Sequence, residues 1–120
     1  MDKRKVTGEL GETAAALFLE ENGVSILEKN FRSRFGEIDL IGYDGESYLV
    51  IEVKTRVWRS SGSAAEAVDY HKQVKICRTF DYYRMKKRLN DFTPVRFDVV
   101  NVDQGFSCTW IKNAFEYLER

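Results

Sequence analysis

The sequence predicts a single mixed α/β domain over residues 1–120, a central mixed sheet flanked by helices. The expected order is helix, three strands, helix, strand, short strand, short helix. Three observations predict it. Apolar residues recur at helical spacing near the start of the chain and again in its middle. Runs rich in β-branched and aliphatic residues lie between and after those segments, and two of them flank Asp44-Gly45. A length of 120 residues with 43% hydrophobic and 32% charged content suits one globular core rather than a disordered chain.

Thr7 is placed to cap a first helix running to about Asn22, where Asn22-Gly23 is a normal stop. Leu10, Ala14, Leu17 and Phe18 at i, i+4, i+7, i+8 form its expected core stripe. Glu12 lies nearly opposite that stripe, among Ala15, Ala16 and Leu19. It reads either as an acid aimed at a site or as a favourable charge near a helix N-terminus, with Glu9 as the fallback acid. Val24 to Arg32 is the first strand, and Arg32 and Arg34 lie in the turn toward Gly36. Both arginines suit flanking phosphates, and equally suit surface charges that balance Glu37.

Glu37–Tyr43 and Ser47–Val57 are the next two strands, joined through Asp44-Gly45, whose residues tolerate the positive φ of a tight hairpin. With a two-residue loop, Tyr43 faces Glu46, Asp39 faces Val50 and Glu37 faces Glu52; a four-residue loop keeps the same faces. One face then carries Glu37, Asp39, Glu52 and Lys54, and the other carries Ile38, Leu40, Leu49, Ile51 and Val53 as a core. Like charges gathered across a ladder repel, so at least one acid is expected to titrate above its ordinary value. A cation among them relieves this: Lys54, or a hard divalent ion held by one or two carboxylates. Asp39 and Glu52 with a metal, plus a lysine, are the parts of metal-assisted phosphodiester hydrolysis. A solvated polar face is the plainer alternative.

Beyond the hairpin, Arg56, Trp58 and Arg59 lead into the polar link Ser60-Ser61-Gly62-Ser63. Arginine beside tryptophan can grip a sugar-phosphate strand and stack on a base, or can simply be a packed ring with solvated charges. Helical spacing resumes from about Ala65 to Leu89, with Ile76, Phe80 and Tyr83 at i, i+4, i+7 and Lys72, Lys75 and Arg78 in a second row. Pro94 ends the following link, Val95–Val102 is a strand, and Gln104-Gly105 turns into a short strand, Phe106–Ile111. Asn113–Glu119 closes the chain as a helical turn or two. Asp98 reads as a structural group paired with Arg96 or a neighbouring arginine.

Formal net charge is zero, but His71 to Arg88 holds seven Lys or Arg and one Asp, so this segment is +6 and the remainder −6. That row is either a phosphate-binding face or a solvated one. His71 is the sole histidine, which excludes His-Cys zinc clusters, two-histidine phosphodiester chemistry and HNH-type nucleases. Cys77 and Cys108 form no C-x-x-C, and no glycine-rich phosphate loop occurs. The longest apolar run, Ala14–Leu19, is too short to span a bilayer, and Glu9 and Glu12 interrupt any signal-peptide core, so a cytoplasmic protein is expected.

Asp39 followed thirteen residues later by Glu52-Val53-Lys54 resembles the PD-(D/E)XK signature of restriction-endonuclease-like nucleases. GEIDL, VIEVKTR, Gly11-Glu12, Arg96-Phe97-Asp98-Val99-Val100 and Asn113-Ala114-Phe115 together resemble the YraN family across nearly the whole chain. That family is described as predicted bacterial endonucleases similar to archaeal Holliday-junction resolvases. The resemblance implies a restriction-endonuclease-like fold and a Mg²⁺- or Mn²⁺-dependent endonuclease acting on DNA, including branched or non-B-form DNA. It implies Asp39 and Glu52 as metal ligands with the Val53 carbonyl as a further one, Lys54 as the residue that orients water and stabilises charge, and Glu12 as auxiliary acid. Arg32, Arg34, Arg56, Lys72, Gln73, Lys75 and Arg78 are the expected nucleic-acid contacts, Lys72 and Gln73 foremost because the helix after the E-V-K strand borders the groove in such nucleases. DNA is the expected partner, with no small-molecule cofactor, no membrane, and a homodimer left open. The alternative is a nucleic-acid-binding module of the same fold without catalysis.

Overall fold

The computed structural model describes residues 3–55 and 68–118. Helix α1 (Lys3–Glu21) leads into three antiparallel strands, β1 (Ser25–Ser33), β2 (Gly36–Tyr43) and β3 (Tyr48–Thr55). Helix α2 (Tyr70–Lys86) then crosses to β4 (Val95–Val102), parallel to β3, and β5 (Cys108–Phe115) returns antiparallel. Strands lie side by side in chain order, β1-β2-β3-β4-β5. This is a mixed five-stranded sheet with two helices. Among the described residues, no helix is long and apolar enough to cross a membrane.

Both faces of the central strands are covered, where sequence alternation predicted one core face and one polar face. Ile41 and Val50 pack with Ile76, Phe80 and Phe97 beneath α2, while Leu40, Leu49 and Ile51 pack with Ala15, Leu19, Val100 and Val102 beneath α1. Strands flanked by a parallel neighbour and a crossover helix read as continuous apolar runs, which is why the polar positions survive only toward one end of the hairpin.

The hairpin loop holds four residues, not two. Asp44 Oδ1 accepts the amides of Glu46 (2.9 Å) and Ser47 (2.8 Å), a side-chain turn that leaves only Gly45 at positive φ (98°). Register follows: Tyr43 faces Tyr48 and Leu40 faces Ile51. Glu37, Asp39 and Glu52 do border one cleft, but the predicted apolar set divides. Ile38 packs with Ile41 and Val50 beneath α2, while Leu40, Leu49, Ile51 and Val53 pack beneath α1, and Glu37 lies opposite Arg32 of β1.

Three further expectations are corrected. Thr7 lies inside α1 and does not cap it. The buried stripe of α1 is Gly11, Ala15, Ala16 and Leu19, while Leu10 and Leu17 are about half exposed (49% and 55%). Small residues let the helix settle close to the sheet; a Cβ on Gly11 would sit 2.4 Å from Thr55 Oγ1. Finally, Asn113–Phe115 continues β5 instead of opening a helix, and no helix forms through residue 118. The cause is long-range. Buried Asp98 accepts the Asn113 amide (2.8 Å) at a bulge where Asn113 adopts φ 54°, and Phe115 stacks on Phe97 at 5.0 Å. The same carboxylate takes a bidentate pair from Arg96 (2.8 Å each) and the Trp110 indole N–H (2.8 Å), so its structural role is as expected.

Candidate active site

The β2–β3 ladder stops at Leu40–Ile51, one step short of Asp39 and Glu52. Side chains supply the next bonds. The Val53 amide donates to Asp39 Oδ2 at 2.8 Å, and the Asp39 amide donates to Glu52 Oε2 at 3.3 Å. Each acid is thereby stitched to the other's strand, and Glu52 is almost wholly buried. Its second oxygen, Oε1, meets Lys72 Nζ at 3.1 Å. Lys72 stands in the first turn of α2, which Asp69 caps by accepting the Lys72 amide at 2.8 Å. The cap fixes where α2 begins and so delivers Lys72 to the acids. A cleft of about 470 Å³ opens here, with Glu37, Asp39 and Glu52 on the strand side and His71, Lys72 and Lys75 on the helix side.

Burial, reinforced by the Asp39 charge and opposed by Lys72, pushes the Glu52 carboxyl up to about 7. Burial also raises Asp39, against the Val53 amide and Lys72. An acid above its ordinary value was expected from mutual repulsion; desolvation is the larger cause. Burial lowers Lys54, and the neighbouring Lys72 charge lowers it further. For Lys72 burial is the largest single influence and acts downward, but the Glu52 carboxylate together with Lys54 and Asp39 outweighs it and holds the ammonium above its usual range. Glu12 on α1 is raised by burial and by the charges of Asp39, Glu37 and Glu9, while a hydrogen bond from Asn30 Nδ2 (3.2 Å) opposes the rise. Asn30 adopts φ 53° within β1, a conformation that asparagine tolerates better than most residues. Glu12 therefore belongs to the same electrostatic cluster, and Glu9 is exposed.

The uncharacterised protein family UPF0102 matches residues 11–102, a span that contains the helix, the stitched acids and both lysines. The chain belongs to UPF0102. Its UPF0102 relatives include a protein of Clostridium tetani, 43% identical over 93% of this chain and 95% of its own, and one of Syntrophus aciditrophicus, 45% identical over 92% and 88%. A UPF0102 protein of Legionella pneumophila is 37% identical over 91% of this chain and 93% of its own. This is the family that the sequence motifs resembled under the name YraN.

In this UPF0102 fold the remaining expected contacts divide. Lys75 is exposed at the cleft. Gln73 turns inward and donates to the Val68 carbonyl at 2.9 Å. Arg78 is held inside the molecule by the Leu118 carbonyl (2.6 Å) and the Tyr117 hydroxyl (3.2 Å). Arg32 lies 3.5 Å from Glu37, and Arg34 covers the Phe35 ring at 4.8 Å; both line a different cleft. Val53 is tied to the acids by its amide. Arg56, Trp58 and Arg59 lie outside the described residues, as does the expected start of α2 at Ala65. Sequence reasoning missed the Lys72–Glu52 pair, His71 and the Asp69 cap. Asp69 three residues before Lys72 was the legible signal, since a capping acid fixes the first turn.

Proposed function

We propose that this UPF0102 chain is a divalent-metal-dependent endonuclease of the PD-(D/E)XK, restriction-endonuclease-like type that hydrolyses DNA phosphodiester bonds, with branched or other non-B-form DNA as substrate. The observation that carries this reading is the Asp39–Glu52 stitch at the end of a ladder, with Lys54 and Lys72 at the same acids. Asp39 and Glu52 are acids in strands otherwise rich in apolar residues, Glu52 buried and Asp39 half-buried. Their oxygens suit a hard cation, and Mg²⁺ characteristically takes only one or two carboxylates and keeps several waters. Among the described residues no three acidic, histidine or cysteine side chains are placed to hold an ion together, so an ion here would rest on Asp39 and Glu52 with water completing its shell. When bound, Mg²⁺ or Mn²⁺ supplies positive charge against the charge that develops on the phosphate. Lys54 is suited to orient the attacking water and steady developing charge, and Lys72 to hold a phosphate oxygen once it leaves Glu52 Oε1. Glu12 would act as auxiliary acid.

The test is Mn²⁺-dependent nicking of supercoiled DNA and cutting of four-way junctions by wild type beside Asp39→Ala and Lys54→Ala. Both substitutions are expected to abolish activity while the fold persists; equal activity in all three would reveal a contaminant and end this reading. A second reading, a nucleic-acid-binding module without catalysis, draws support from Lys72, which satisfies Glu52 without any metal. It expects DNA binding unaltered by Lys54→Ala and no cutting by wild type.

A further inference from the structure

The seam between the β1–β2 turn and α2 opens a second cleft, of about 810 Å³. Arg32, Arg34 and Phe35 line its turn side, and Arg78, Tyr82 and Met85 its helix side. The two clefts are neighbours on one seam. Gly36 and Glu37 border the first while Phe35 borders the second, and α2 gives Lys75 to one and Arg78, a turn later, to the other. Beneath them the turn and helix are fastened by a 2.9 Å hydrogen bond between the Ser33 and Thr79 hydroxyls.

We propose that this second cleft receives an unpaired nucleotide of a DNA strand whose adjoining phosphate lies at Asp39 and Glu52. Phe35 and Tyr82 present π faces to the base, and Arg32 and Arg34 meet the backbone. Charge favours an anion on the turn side. Arg32 has a side chain 77% exposed and only a 3.5 Å pair with half-exposed Glu37, a contact worth little in solvent. The cleft's one carboxylate among the described lining residues, Asp81, is already answered from inside by the Tyr117 hydroxyl (2.8 Å) and by Arg78 Nε (3.3 Å). Apolar chemistry favours a base. Met85 is 67% exposed beside the aromatic rings, and Arg34 already lies over Phe35, the stacking geometry a base can share. The volume falls in the roughly 300–1,000 Å³ range of small-molecule pockets. In a duplex each base face is covered by its neighbour, so an aromatic cleft selects a base that is unpaired. The direction of the strand rests on the nuclease reading of the Asp39–Glu52 cleft; the stack does not.

The experiment is fluorescence anisotropy in chelator, comparing a labelled short oligothymidylate with a duplex of the same length, with melting curves to verify folding. Wild type should bind the single strand more tightly. Phe35→Leu and Tyr82→Leu, which keep bulk but lose the π face, should each weaken that binding about ten-fold and leave the duplex nearly unchanged. Phe35→Tyr should restore it. Folded leucine variants that bind as wild type does, or a duplex bound as tightly as the single strand, would overturn the proposal. A protein that cuts no DNA but shows the leucine effect removes the nuclease reading alone. One that cuts DNA without the leucine effect removes this inference alone.

Discussion

A carboxyl group with 1% of its surface exposed, Glu52, sits 3.1 Å from the Lys72 ammonium, and its titration shapes how the isolated protein responds to acid. In the folded chain it is raised to about 7, above the ~4.3 of an unfolded glutamate. The native state thus binds this proton more tightly than the unfolded state does. The stability it brings is complete below about pH 4.3 and is lost as pH climbs through about 7, a loss of at most about 4 kcal/mol. Asp39, raised in the same direction, adds to the trend. Urea denaturation in chelator between mildly acid and neutral pH should show metal-free stability falling, and Glu52→Gln should flatten the curve. Mn²⁺ should raise the neutral-pH melting temperature of wild type and hardly that of Glu52→Gln, because only a ligand held by the native state shifts the equilibrium. A wild-type curve that rises toward neutral pH would show that Lys72, and not burial, dominates Glu52.

Between elements, α1 approaches β3 closely at Gly11. Gly11→Ala gains roughly 1 kcal/mol of helix propensity but drives its Cβ into Thr55 Oγ1, and overpacking costs about 1–3 kcal/mol. The substitution should therefore lower stability, and Thr55→Ala in the same chain should recover most of the loss, a double-mutant cycle readable by thermal melts. Such contacts explain what the sequence hid. The stripe chosen for α1 followed its largest apolar residues, whereas the helix is seated by glycine and alanine, which carry little periodic signal. The α2 stripe of Ile76, Phe80 and Tyr83 was legible because bulky residues fill it. Asp-Gly announced the hairpin, but its loop length depends on one oxygen of Asp44 choosing two amides. Nothing local to Asn113 announces that a carboxylate fifteen residues away will hold it in a strand.

Across the whole molecule, charge is divided, and the +6 segment from His71 to Arg88 runs along α2 and two residues past its end, the helix forming one wall of both clefts. Its members are not equal. Lys72→Gln with Lys75→Gln should make the log–log salt slope of DNA binding shallower by about two units, whereas Arg78→Gln should leave it unchanged because the Arg78 fork is held by Leu118 and Tyr117. A shift of three units on adding Arg78→Gln would show that the fork swings out to bind. At this scale the sequence was most readable: the order of the elements from α1 to β4 and the placing of Asp39 and Glu52 on one face follow from a hairpin and one helix, whereas the order of strands within the sheet was not predicted. Lys72 was legible as a cation near the acids, but its choice of Glu52 depended on the cap that starts α2.

The reciprocal stitch between Asp39 and Glu52 has a consequence for descent. Both acids carry backbone bonds that extend the end of the ladder, so a lineage that ceased to cut DNA would still lose stability by discarding them. Lys54 holds no such bond among the described residues, and mutation could erase it without unpicking a strand. In a diverging relative, loss of the lysine with both acids intact would be the first mark of a retired enzyme.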